Sequence, residues 1–182
     1  MDVEYRQARS EDMLACARVF ERALTDMARR FGRPLPEIQV NQVAKALEHV
    51  RRTDPGGFHV AVSGRRVISN AATILRGRTQ YLSSFWTLPS QQGRGIGRRV
   101  LERAFGRPRA PPGTIRCVYA SLDGGAQALY LKLDMLPRTL VYTPKGRPEP
   151  SSSPRPRIEL RQVGPTSATS RASLDLAARF DR

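Results

Sequence analysis

The sequence predicts an α/β fold: a mixed antiparallel and parallel central sheet of about six to seven strands with helices on both faces. Three observations predict it. Apolar runs joined by short turns in the middle of the chain read as antiparallel strands. A later strand–helix–strand unit needs a parallel crossover. Between them an apolar strand enters a glycine-rich turn that opens a helix, Gln92-Gly93-Arg94-Gly95-Ile96-Gly97-Arg98-Arg99.

The elements follow in order. Val3-Glu4-Tyr5-Arg6 alternates as a half-buried strand does. Ser10 is placed to cap a helix with Glu11 and Asp12 in its first turn, and Met13, Ala17, Phe20, Leu24 and Met27 form its apolar stripe. Cys16 lies near that stripe and reads as core rather than nucleophile. A second helix is expected from about residue 37 to 51, with Val40, Val43, Leu47 and Val50 inward and His49 exposed. After the turn Asp54-Pro55-Gly56-Gly57, alternating Phe58, Val60 and Val62 make a strand with His59 on its other face. A hairpin leads into Val67 to Leu75, and Arg76-Gly77-Arg78 turns into the strand Tyr81 to Leu88. The helix after the glycine turn buries Ile96, Val100, Leu101, Ala104 and Phe105, and Gly106 and Pro108 stop it. A strand over 114–120, a helix preceded by Gly124-Gly125 and ended by Pro137, and a last strand Leu140-Val141-Tyr142-Thr143 complete the set.

The glycine turn carries the first functional signal. A helix N-terminus presents unpaired N–H groups and a partial positive charge, and glycine lets a phosphate approach that backbone. Arg94, Arg98 and Arg99 add charge. A P-loop needs Lys-Ser or Lys-Thr after its last glycine, where Arg98-Arg99 stands, and the dinucleotide fingerprint needs Gly or Ala at Arg98. What fits is Q-x-x-G-x-G, from Gln92 through Gly95 to Gly97. With the preceding strand this resembles the acyl-CoA signature of the GNAT superfamily of N-acetyltransferases. The element order is similar to that family's over residues 3 to 143. A second stretch, Ser121 to Met135, looks like the family's later motif: Ala126, Leu129 and Tyr130 match, while Asp123 stands for the usual Asn and Asp134-Met135 for Gly-Phe.

The resemblance implies acetyl-CoA as cosubstrate and an amine, on a small molecule or a peptide, as acceptor. It implies that the backbone of Phe85, Trp86 and Thr87 holds the pantetheine and polarises the acetyl carbonyl. Gln92, Gly93, Arg94, Gly95, Ile96, Gly97 and Arg98 would bind the pyrophosphate. Tyr130 aligns with the family's general acid. The base is unassigned, with Glu21, Asp26 and Glu48 as candidates on helix faces.

Composition sets the outer bounds. The net charge of +15 in 182 residues comes almost wholly from arginine and favours polyanionic partners, against a bland preference for Arg codons. Two cysteines and two histidines give neither a disulfide framework nor a metal site, and no apolar run is long enough for a membrane span, so a cytoplasmic protein with no metal is expected. Residues 1–145 are expected to be the acetyltransferase domain and 146–157 a Pro/Ser/Arg-rich linker. In 158–182, Ile158-Glu159-Leu160-Arg161-Gln162 echoes Val3-Glu4-Tyr5-Arg6-Gln7. It reads as the start of an incomplete second unit, or as a tail docking on the domain or on a twin subunit in a homodimer. The leading reading is an N-acetyltransferase. A non-catalytic acyl-CoA-binding or regulatory domain is the alternative. A nucleic-acid binder comes third, on charge alone.

Overall fold

The computed structural model describes residues 2–106 and 110–142. The chain divides into two units, Met1–Leu136 and Pro137–Arg182. The first contains β1 (Glu4–Gln7), α1 (Met13–Arg30), α2 (Val40–Thr53), β2 (Phe58–Ser63), β3 (Arg66–Arg76), β4 (Thr79–Thr87), α3 (Ile96–Gly106), β5 (Ile115–Val118) and α4 (Gly124–Leu131). Of the second, 137–142 are described and form neither helix nor strand. The expected linker and repeat, 146–182, lie outside the described residues.

The strands make one sheet in the order β1-β2-β3-β4-β5, antiparallel except for the parallel pair β4 and β5. Five strands lie among the described residues, where six to seven are expected of the chain. The strand expected over 140–143 is missing at Leu140, Val141 and Tyr142, and Thr143 is not described. β-Branched and aromatic residues favour a strand only where a neighbouring strand accepts their backbone, so propensity alone overcalled this segment.

Local chemistry shifts several element ends. Ser10 begins a 3₁₀ turn, Ser10–Asp12, and does not cap α1. Asp12 does the anchoring instead: its Oδ2 accepts from the Arg9 amide at 2.7 Å and its carboxylate takes two bonds from Arg6, at 2.7 and 2.9 Å. The second helix starts at Val40 rather than near 37, past Pro34 and Pro36, and of its stripe only Leu47 is fully buried. Gly124 and Gly125 lie inside α4, whose cap is Asp123. That helix ends at Leu131, well before Pro137, and Asp134 in the turn that follows adopts φ 61°.

Two adjacent residues of β4 show how the layers stack. Successive strand side chains point to opposite faces. Phe85 faces α3, where Gly97 lies against its ring, while Trp86 faces α1, its ring 4.9 Å from that of Phe20 and edge-on at 88°. Helices therefore cover both faces, and central strands are buried on both. This accounts for polar side chains such as Ser69, Asn70, Thr73 and Gln80 in the core. Thr73 donates to the Ala104 carbonyl at 2.8 Å, and the Ser69 and Thr87 hydroxyls share a bond of 2.8 Å. Around them Phe58, Val60, Val100 and Leu101 are fully buried, each worth roughly 1.5–3 kcal/mol of burial. Cys16 is core as expected, and burial pushes its thiol up, away from nucleophilic use.

The pairing of β4 with β5 stops at Leu82 opposite Val118, yet β4 runs on to Thr87. A bulge falls at the same point: Ser84 stands opposite Ala72 and Leu82 opposite Thr73, which leaves Ser83 as the extra residue. A bulge bends its strand and ends regular pairing. The last part of β4 thus has β3 on one side and, among the described residues, an open edge on the other.

Candidate active site

The open edge of β4 is set by register. Leu88 N–H donates to the Ile68 carbonyl at 2.9 Å, and in an antiparallel ladder bonded pairs alternate. Trp86 opposite Asn70 is then a bonded pair, and Phe85 and Thr87 present their N–H and C=O groups away from β3. Trp86 thus adds a side chain on the α1 face, while its peptide belongs to the ladder with β3. The Thr87 carbonyl is taken by Gln92 Nε2 at 3.1 Å, which ties the glycine turn to the strand end. The Phe85 peptide groups and the Thr87 N–H face the gap.

The turn itself is built as a cradle. Gly93 and Gly95 adopt φ of 73° and 74°, the left-handed region, and no heavy atom lies within 4 Å of where a Cβ would stand on either. Ile96, buried at 5% exposure, plugs the start of α3 into the core. The Arg99 amide donates to the Gly95 carbonyl at 3.2 Å as the first helical bond, so the amides of Ile96, Gly97 and Arg98 have no acceptor within the helix. Arg94 donates to Gln91 Oε1 at 2.9 Å and Arg98 to Glu102 Oε1 at 2.7 Å, both at the surface. Gly97 serves packing: a Cβ there would meet Thr87 Oγ1 at 2.9 Å and Phe85 Cζ at 3.0 Å.

Tyr130 of α4 reaches the same place from the other side. Its ring centroid is 6.2 Å from that of Phe85, at 63°, and the residue is 8% exposed. Burial, with the charge of Asp123 adding to it, pushes the Tyr130 hydroxyl up to about 12. The open strand, the glycine turn and Tyr130 thus converge on Phe85.

A family model described as "Acetyltransferase (GNAT) family" matches residues 20–135, well over half of the chain. The chain belongs to the GNAT family. Solved structures agree on the fold. A predicted acetyltransferase from Clostridium acetobutylicum, with acetyl-CoA, is 18% identical with TM-score 0.60, over 79% of this chain and 96% of that one. The PaiA N-acetyltransferase of Thermoplasma acidophilum, in complex with coenzyme A, is 14% identical with TM-score 0.58, over 73% and 89%. An acetyltransferase described as putative, from Pyrococcus horikoshii, is 18% identical with TM-score 0.55, over 72% of this chain and only 42% of that one. No curated protein matches the chain.

Against the GNAT motif, both departures of this chain have structural work. Asp123 caps α4, its Oδ1 accepting from the Ala126 amide at 2.9 Å, a role Asp and Asn share. Its Oδ2 takes a 2.8 Å ion pair from Arg30, which joins the end of α1 to the start of α4. Burial would raise this carboxyl, but the Ala126 amide and Arg30 outweigh it and hold Asp123 below the usual carboxylate range. Asp134 takes the left-handed turn where glycine is usual, and Met135 fills the core at 7% exposure where Phe is usual.

Two of the three base candidates are held by arginines. Asp26 is bound to Arg30 at 3.0 Å. Glu48 pairs with Arg51 through two bonds of 2.7 Å, which lowers its carboxyl further. Glu21 sits beside Phe20 on α1, half-buried, with no hydrogen bond or ion pair among the described residues. Sequence reasoning missed the Asp123 cap and the Ser83 bulge. Asp followed by two glycines is a legible cap signal, whereas a bulge depends on the partner strand's register. Among the described residues no helix is long and apolar enough to cross a membrane, and no cluster of His, Cys, Asp and Glu is suited to a metal ion.

Proposed function

We propose that this GNAT domain is an acetyl-CoA-dependent N-acetyltransferase acting by direct attack of a primary amine. The observation that carries the reading is the convergence on Phe85 of an unpaired strand edge, a glycine-lined helix start and a buried, protonated tyrosine. The residues fit the cosubstrate: a Cβ at Gly93 or Gly95 would fill the space a pyrophosphate needs, and the amides of Ile96, Gly97 and Arg98 are donors without titration. Gln92 acts by fixing the turn to Thr87, and Arg94 and Arg98 contribute surface charge.

Acetyl-CoA supplies a thioester whose carbonyl accepts the amine and whose thiolate leaves. At the open edge the Phe85 and Thr87 amides serve as the oxyanion donors and as the ladder for an extended pantetheine. The Trp86 peptide faces β3, so its part is to wall the α1 side with Phe20. Tyr130 holds its proton at neutral pH and gives it from its phenolic oxygen to the departing sulfur. The amine loses its proton to solvent, Asp26 and Glu48 being held by Arg30 and Arg51.

The test is release of free thiol from acetyl-CoA across a panel of small amines and peptide N-termini. Amine-dependent release is expected. Binding of acetyl-CoA with no release for any amine would favour the regulatory alternative, and absence of binding would remove both.

A further inference from the structure

We propose that the concavity between β1 and the last turns of α3 is a second binding site, specific for a phosphate-type oxyanion. It lies beyond the acetyl-transfer reading and does not depend on it. The concavity measures about 390 Å³ and is lined by Tyr5, Arg6, Gln7, His59, Arg103 and Gly106. From Ile96 at the glycine turn to Arg103 is roughly 10 Å along the helix axis, so one phosphate cannot serve both places.

The donors are arranged rather than merely abundant. Arg103 lines the concavity, and Arg99, one helical turn before it, shares the Tyr5 ring at its rim, their guanidinium carbons 5.2 and 6.0 Å from the ring centroid. A guanidinium laid on an aromatic face keeps its in-plane N–H groups free and loses little freedom on binding. Neither guanidinium has a carboxylate partner among the described residues, whereas neighbouring Arg98 is paired with Glu102 at 2.7 Å. Like charges four apart on a helix repel, and an oxyanion between them relieves that repulsion while taking both forks. His59, 5% exposed, is part of the lining, and Gln7 stands opposite it on β1. Arg6 is already committed to Asp12, and no acidic side chain among the described residues lines the concavity.

The same chemistry is offered by free phosphate and by the phosphodiesters of a nucleic acid. The test blocks the glycine turn with Gly95→Glu and then titrates inorganic phosphate. Side-chain Nε–H signals of Arg99 and Arg103 are followed by NMR. Saturable shifts at both arginines are expected. Arg103→Gln should weaken phosphate about tenfold, and Arg103→Lys should lie between, since it keeps charge but loses the fork. A parallel titration with short oligothymidylate identifies the source: tighter, salt-sensitive binding at the same signals assigns a phosphodiester, and weaker binding assigns free phosphate. The proposal is overturned if blocking the glycine turn abolishes phosphate binding. It is equally overturned if Arg103→Gln binds phosphate as the parent does.

Discussion

Gly97 and Phe85 touch so closely that the smallest side chain at residue 97 would stand 3.0 Å from the Phe85 ring and 2.9 Å from the Thr87 hydroxyl. The start of α3 is thereby held against the open end of β4, which places the helical amides beside the strand's unpaired groups. Gly97→Ala should push the two apart. A loss of about 1–3 kcal/mol of stability is expected, the usual cost of overpacking, with weaker acetyl-CoA binding. Unchanged melting temperature and unchanged affinity would show that α3 can shift without consequence.

Gly95 answers to a different constraint. Its φ of 74° strains any side chain by about 1 kcal/mol, yet nothing crowds a Cβ there. Gly95→Glu should therefore leave a folded domain whose melting temperature no longer rises with acetyl-CoA, because the carboxylate occupies and repels the phosphate. Equal stabilisation of mutant and parent by acetyl-CoA would place the cosubstrate elsewhere.

The part of this site that was legible in the sequence is local. Apolar spacing from Ile96 to Phe105 and three glycines gave the helix, its start and its buried face, all as observed. Motif resemblance pointed to Tyr130, whose ring packs against Phe85. What needed the structure is non-local. The gap beside β4 arises because Ser83 is extra in the register with β3 and because β5 stops at Val118, and neither follows from the residues themselves. Burial of Ser69, Asn70 and Gln80 likewise follows from helices on both faces, not from their polarity. Leu140 and Val141 make the converse case: strand-like residues with no strand.

Asp134 is the one described residue other than glycine with positive φ, at 61°. Its backbone turn lets the Met135 amide bond the Tyr130 carbonyl at 3.1 Å. Asp134→Gly should relieve about 1 kcal/mol of strain and raise the melting temperature by roughly 2–4 °C. A fall in melting temperature would mean that the carboxylate itself stabilises the turn.

Acid stability should be set by buried carboxylates. Burial raises Asp12, but its bonds from Arg6 and the Arg9 amide outweigh that and leave it lowered. Asp54, paired with Arg76, is lowered in the same way. A lowered folded pKa contributes stability that is present above the unfolded value, about 3.9, and is lost as pH falls through the folded one. The melting temperature should hold from pH 7 to about 5 and drop below about 4. Asp12→Asn should cost about 2 kcal/mol at pH 7 and shallow the acid drop. Acid slopes identical in mutant and parent would exclude Asp12 from the transition.

Tyr130→Phe isolates the proton donor. The substitution keeps the ring against Phe85, so packing and acetyl-CoA affinity should persist. If the phenol protonates the leaving thiolate, its removal should slow acetyl transfer by about 10²–10⁴-fold in a single turnover, where product release cannot mask the step. The loss should sit in kcat, because the hydrogen bond strengthens only as charge develops on sulfur. With the hydroxyl pushed up to about 12, the parent rate should also show no alkaline fall from this group up to about pH 10. Transfer by Tyr130→Phe at the parent rate would make Tyr130 a packing residue, and water would then be the source of the proton.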